Sequence, residues 1–448
     1  MLPSLRNLLL TLPLLTLTPA LRAAVPAPTL LDIRSFGAIG DGITLNTKAL
    51  QSAIDQATTT GGTLLIAGGS YVTGTLYLKS NVTLHIEAGA ILLGSTHIAD
   101  YTTDTDRTMY AGEPHMDRCL IFARDASNIA IDGMGTIDGQ GKSFPEAGDP
   151  RKNRPKLIRF LNCSRIRMRD ITLQHPASWT NEWRYCSDIV VEGITVSSRG
   201  YTNGDGLDLD GCTKARVSNS TFDTGDDAIC LQTSSPAHPC TDITVMNCNF
   251  SSRWAGIRIG LLSRGDFSNI AVTNCTFTDH QDSGLKIQMN EGASMKNMTF
   301  SNLVMKNVPR PVFLTFCQKN AWVDAGRDLP PMKAVTDLQF SNIVVDDSGV
   351  TGPAAVTCGF QITGTPGHDL QNLSFSDIRA TFPGGGTSAD AANVLAEFTP
   401  QVLRAGWPEY SRFGATVPAF GFYARHVDGL SLRNGHRATV LPNARPPI

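Results

Sequence analysis

What this chain lacks most clearly is net charge. Its 38 Lys and Arg stand against 40 Asp and Glu, a balance of -2 at pH 7. Nothing in that balance points to a nucleic acid or an anionic membrane as partner. Close-spaced Cys/His clusters are also missing, so no metal site is expected, and no cofactor. The Leu-rich consensus with helical segments that marks leucine-rich repeats is absent, as is any low-complexity linker within the central region. The N-terminal apolar run Leu8-Leu9-Leu10-Thr11-Leu12-Pro13-Leu14-Leu15 is too short to span a bilayer. Arg6 precedes it and small residues from Ala20 to Ala24 close it, the pattern of a secretory signal peptide. Residues 1–24 are therefore expected to be a signal segment, residues 25–448 a single exported domain, and the protein secreted or periplasmic. No feature specifies an oligomeric state.

What is present is a repeat. Cys163-Ser-Arg-Ile166-Arg-Met168 is followed by Cys186-Ser-Asp-Ile189-Val-Val191, Cys212-Thr-Lys-Ala215-Arg-Val217 and Cys240-Thr-Asp-Ile243-Thr-Val245. Further copies are anchored at Ile270, Met298, Leu338, Leu373 and Leu430. From Ile166 to Met298 the anchors fall 23, 26, 28, 27 and 28 residues apart, and then 40, 35 and 57. Alternating apolar positions argue strands, and the fixed period argues stacked units with a shared core. The expected fold is all-β, a right-handed parallel β-helix. The 41 glycines suit its many turns, and the long final intervals predict loop insertions that build groove walls.

Ahead of the coils, apolar Ala49, Leu50, Ala53, Ile54 and Ala57 mark an amphipathic helix with Asn46 or Thr47 as cap. It would cover the open end of the solenoid. Ten cysteines in an exported chain invite disulfides. Cys163, Cys186 and Cys212 recur at one place in the repeat, as do Cys248 and Cys275, which favours stacked core thiols. Cys230 and Cys240 flank a ten-residue loop, and pairing between them stays open.

The chemistry points to Asn203-Gly204-Asp205-Gly206-Leu207-Asp208 and Gly225-Asp226-Asp227. Asp205 and Asp226 are 21 positions apart, about one coil. Carboxylates gathered on neighbouring coils repel one another, a cost that acid/base work on a glycosidic bond would offset. Strand parity sends Leu207 and Leu209 inward and Asp208 and Asp210 outward. It leaves Asp226 outward and Asp227 inward, so bends are expected at both Gly-Asp steps, as an active-site rim would need. A plainer reading has Asp208 and Asp227 bonding turn amides.

Several segments together resemble glycoside hydrolase family 28, the polygalacturonases and their relatives. They are Phe36-Gly-Ala-Ile-Gly-Asp41-Gly, Leu78-Lys-Ser-Asn81, Gly89-Ala-Ile-Leu-Leu-Gly94 and Gly135-Thr-Ile-Asp-Gly139, followed by the two acidic motifs. The resemblance implies an inverting glycosidase acting on pectic poly- or oligosaccharides. Asp226 would be the general acid, with Asp205 and Asp227 activating water. The two carboxyls of Asp205 and Asp226 would then stand about 6.5–9.5 Å apart.

Asn203, Asp208, Arg258 and Lys286 are the candidate substrate contacts. Two departures stand out. Ala255 replaces the family's Gly-His-Gly histidine, and Lys286-Ile287-Gln288 keeps one cation of the Arg-Ile-Lys motif that in polygalacturonases holds the substrate carboxylate. Smooth homogalacturonan should therefore serve less well than glycans with a neutral sugar at a central subsite. His280 is a candidate replacement for the lost histidine. His175, Trp179 and Trp183 are candidates for the sugar-binding surface, with core filling an equal reading. A calcium-dependent polysaccharide lyase using Lys286, and a non-catalytic glycan-binding β-helix, remain as alternatives.

Overall fold

In each repeat the apolar members of the alternating pairs turn inward and the polar ones outward, so every coil closes around the same core. The computed structural model of the protein describes residues 29–106, 117–145, 153–318, 329–403 and 407–448. The expected signal segment lies outside them. All named strand pairs are parallel, and they build an 11-stranded and a 22-stranded sheet. The larger sheet has two columns of short strands that merge into single long strands, beginning with Phe267–Thr278 and continuing through Ala293–Lys306 and Met332–Asp346. The result is the expected right-handed parallel β-helix. Among the described residues, no helix is long and apolar enough to cross a membrane.

The repeat anchors fall in one register. Ile166, Ile189, Ala215, Ile243, Ile270, Met298, Leu338, Leu373 and Leu430 follow one another from coil to coil. All but Leu430, on the last coil, are buried. Phenylalanines stack beside them, with Phe250 5.5 Å from Phe222 and 5.1 Å from Phe277. Asparagines hold the corner between the two columns in left-handed backbone, which their short side chains tolerate. They bond one another up the stack: Asn302 donates to Asn274 at 3.0 Å and Asn342 to Asn302 at 2.8 Å. The helix Thr47–Thr60 buries Leu50, Ala53, Ile54 and Ala57 against the first coils. Asn46 precedes it without a side-chain cap bond; its amide instead ties down Ile39 and Thr44.

All ten cysteines are buried and unpaired as disulfides. Cys163, Cys186 and Cys212 stack in register, and the Cys163 amide donates to the Cys186 sulfur at 3.4 Å. The open possibility of a Cys230–Cys240 bridge is not realised. Cys230 faces outward between Asp208 and Arg258, whereas Cys240 continues the inward cysteine column.

The 11-stranded sheet provides the floor of the functional face. Its outward rung reads Arg159, Glu182, Asp208, Cys230, Arg258, Lys286, Phe313. These residues point away from the coil yet are almost fully buried, because two straps lie over them. On one side Arg159 donates to the Thr105 and Asp106 carbonyls at 2.7 Å each. On the other, the long insertion before Leu430 lays Pro408, Glu409 and Tyr410 against Gln288, Lys286 and Arg310. The wall expected from the 57-residue interval is thus present, a second one comes from the unexpected strap at Thr105 and Asp106, and a pocket lies between them.

Phe250→Ala should cost about 3–5 kcal/mol, since the stack cannot collapse onto the gap. Urea unfolding should show a lower midpoint with an unchanged slope. A loss below about 1 kcal/mol would contradict the stacked core.

Candidate active site

The strands of the two acidic coils begin only at Leu207 and Ile229, so Asp205, Asp226 and Asp227 sit on turns at their entrances. The turns are crowded: a Cβ on Gly225 would stand 2.1 Å from the Tyr201 carbonyl oxygen, which leaves room for glycine alone. Successive coils lock there, with the Gly206 amide donating to the Asp227 carbonyl at 2.9 Å. Thr224 and Ser252 hydroxyls both donate to the Asp226 carbonyl at 2.6 Å. These bends overturn the inward parity of Asp227. Its carboxylate instead accepts from the Ala255 amide at 3.2 Å and from Arg258 Nη1 at 3.0 Å.

One oxygen from each of Asp205, Asp226 and Asp227 lies within 4.8 Å of the others. This is tighter than the expected 6.5–9.5 Å and nearer the roughly 5–5.5 Å of two-carboxylate retaining sites. Such a set could ligate a cation, but Arg258 already supplies a countercharge to Asp227, and the surroundings favour protons on the other two. Burial, then the neighbouring Asp227, pushes Asp226 up to about 7, with Arg258 opposing. Burial, then Asp226, Asp208 and Asp227, holds Asp205 well above the ordinary carboxylate value.

The cavity above these acids measures about 230 Å³. That is below the roughly 300–1,000 Å³ of common ligand pockets, room for a short piece of glycan rather than a long run of it. Trp179, Trp254 and Trp407 line it with Asn203, Gln232, Arg258 and Leu261. Trp179 lies one coil before Asp205 and Trp254 one coil after Asp226. Each rests on a buried lysine: Lys156 Nζ is 3.7 Å from the Trp179 ring centroid, and Lys286 Nζ is 4.4 Å from that of Trp254.

The other sequence candidates are distributed as follows. Asn203 lines the pocket, its amide oxygen accepting from Arg154 at 2.9 Å. Arg258 lines it as well, donating to Gln288 at 2.7 Å besides Asp227. Lys286 does not reach the lining, being fully buried with Asp282 and Glu409 carboxylates each 2.7 Å from its ammonium. Asp208 is likewise covered; burial pushes its carboxyl well up, and it accepts from Gln232 at 3.3 Å. His280 is buried behind Gly256, where burial lowers its pKa to about 3 and keeps it neutral. His175 bonds Asp138 at 2.9 Å away from the pocket, and Trp183 is core, stacked 5.2 Å from Phe160. The sequence reading missed Gln232, Trp254, Leu261, Trp407 and Glu409. The only signal for the last two is the 57-residue interval they fall within.

A carboxyl whose folded pKa is raised binds more protons in the native state than in the unfolded one. Stability therefore falls as pH rises from the ordinary value of 3.8 through about 7 for Asp226. Asp226→Asn should flatten this decline and raise the thermal midpoint at pH 8 more than at pH 5. An equal shift at both values would contradict the crowding of the acids.

The sequence model of glycosyl hydrolases family 28 matches residues 65–399. The chain is 26% identical over 407 residues to an exo-poly-alpha-D-galacturonosidase of Dickeya chrysanthemi, covering 78% of this chain and 66% of that protein. Against three of its curated relatives it spans 61–66% of their length. Among solved structures it is similar to a family 28 exopolygalacturonase of Yersinia enterocolitica, with TM-score 0.63 and 22% identity over 93% of this chain and 79% of that one. A hyperthermoactive exopolygalacturonase from Thermotoga maritima gives TM-score 0.62 and 19% identity over 79% and 87%. At these identities the structural likenesses establish a shared fold. The sequence match, which extends over most of the chain and includes both acidic turns, establishes more: the chain belongs to glycosyl hydrolases family 28.

Proposed function

We propose that this protein is a secreted glycoside hydrolase that cleaves glycosidic bonds in pectic poly- or oligosaccharides with inversion. The observation that carries the reading is the set of three carboxylates within 4.8 Å, one of them with a pKa of about 7, in a tryptophan-lined pocket. Asp226 gives its proton to the departing glycosidic oxygen. A water held by Asp205 and Asp227 attacks the anomeric carbon from the opposite face and loses its proton to the Asp227 carboxylate. The Met1–Ala24 pattern supports export. The straps on both sides of the pocket, and the exo-acting names of some of the relatives, support action at chain ends.

Retention is the second reading, and the short carboxylate spacing favours it. A retaining enzyme needs one ionised carboxylate with direct access to the anomeric carbon. Asp227 is clamped by Arg258 and Ala255, and the crowded Asp205 favours its proton, so neither is well suited to that task. A lyase is disfavoured because Lys286 is held by two carboxylates and is a poor base.

Asp226→Asn should lower turnover on pectic oligosaccharides by about 10²–10⁴ while the fold persists. Proton NMR of the first-formed anomer from the wild type should show inversion. Near wild-type turnover in the variant would remove Asp226 from its role, and a retained anomer would replace the water mechanism. A calcium-dependent unsaturated product would establish the lyase instead.

A further inference from the structure

The buried Lys286 lies one rung beyond Arg258 on the pocket floor, beneath Trp254. A lone ammonium there would be a ready partner for a sugar carboxylate. Its charge is already met from two directions. Asp282, on the same coil, lies 2.7 Å away and also pairs with Arg310 at 3.4 Å. Glu409 lies equally near, but arrives from the strap, far away in sequence.

Charge bookkeeping shows what Glu409 adds. Lys286 and Arg310 with Asp282 alone would leave one positive charge under Trp254; Glu409 brings the cluster to neutrality. The strap is seated rung by rung to achieve this. The Pro408 carbonyl accepts from Gln288, Glu409 meets Lys286, and the Tyr410 ring lies 3.8 Å from the Arg310 guanidinium carbon. Trp407, immediately before, lines the pocket. Glu409 Oε1 is buried with no hydrogen-bond partner among the described residues, so the carboxylate is given over to the charge cluster.

We propose that Glu409 stands in for a substrate carboxylate at Lys286, and that it thereby selects an uncharged sugar, a neutral hexose or an esterified uronate, over a free uronate at that position. The pocket lining agrees: it holds three carboxylates and one guanidinium, Arg258, which is engaged with Asp227. A free uronate would bring a further negative charge into that setting. This proposal rests on the glycosidase reading and specifies the substrate class of its pocket.

The test compares probes with one ring and two charge states, methyl-esterified and de-esterified oligogalacturonides. Wild-type kcat/KM should favour the ester about tenfold or more. Glu409→Gln, which keeps the shape and removes the charge, should move the ratio toward the free acid by about tenfold, and Glu409→Asp should restore it. Calorimetry in an Asp226→Asn background separates this proposal from the reaction itself: adding Glu409→Gln should tighten galacturonate and leave galactose unchanged. A wild type that prefers the free acid, or a Glu409→Gln ratio and galacturonate affinity that do not move, would overturn the proposal. Binding that behaves as expected with no hydrolysis of either probe would instead remove the glycosidase reading.

Discussion

Parallel backbone hydrogen bonding between coils sets the terms for everything else in this molecule. It holds equivalent residues of successive coils about 4.8 Å apart and in register, whatever their chemistry. In the core this makes ladders of Ile, Phe and Cys. On the outer face the same constraint stacks like charges. Asp205 comes up against Asp227 on the next coil, with Asp226 beside it, and the three cannot separate without disturbing the coils that carry them. Burial first, and then this crowding, appears as retained protons on Asp205 and Asp226. A carboxyl that keeps its proton toward neutral pH, which the proposed general acid requires, follows from the crowding and the burial together.

The second determinant is cover. Carboxylates at the edge of an open sheet would be solvated and would titrate in the ordinary range. Here the strap carrying Thr105 and Asp106 and the strap carrying Trp407 to Tyr410 remove water from the floor on either side of the acids. They also turn surface side chains into buried ones. Lys286, which alternation alone would leave in solvent, becomes the fixed support of Trp254, as Lys156 is of Trp179. Rigid walls and crowded acids are therefore products of the same enclosure.

This division explains what could be read from the chain. The anchors from Ile166 to Leu430 were legible because a stacked core demands the same residue type at each period, and the acidic turns because Gly-Asp interrupts that pattern. Asp227 escaped the parity rule since it precedes its strand and takes its direction from Arg258 and Ala255. Cys230 and Cys240 looked pairable by proximity, yet Cys230 faces outward from the 11-stranded sheet while Cys240 faces inward from the 22-stranded one. The burial of Asp208 and Lys286, and the roles of Trp407 and Glu409, were hidden for one reason. They depend on insertions that carry no repeat, whose landing place no local pattern encodes.

The central claim is that stacking and cover together keep a proton on Asp226 toward neutral pH. A carbon-13 NMR titration of the aspartate carboxyls, with Asp226 assigned by its absence in Asp226→Asn, addresses it directly. A midpoint near 7 for Asp226 is the expected result. A midpoint near the ordinary 3.8 would mean that the pocket does not poise its acid, and would contradict the claim.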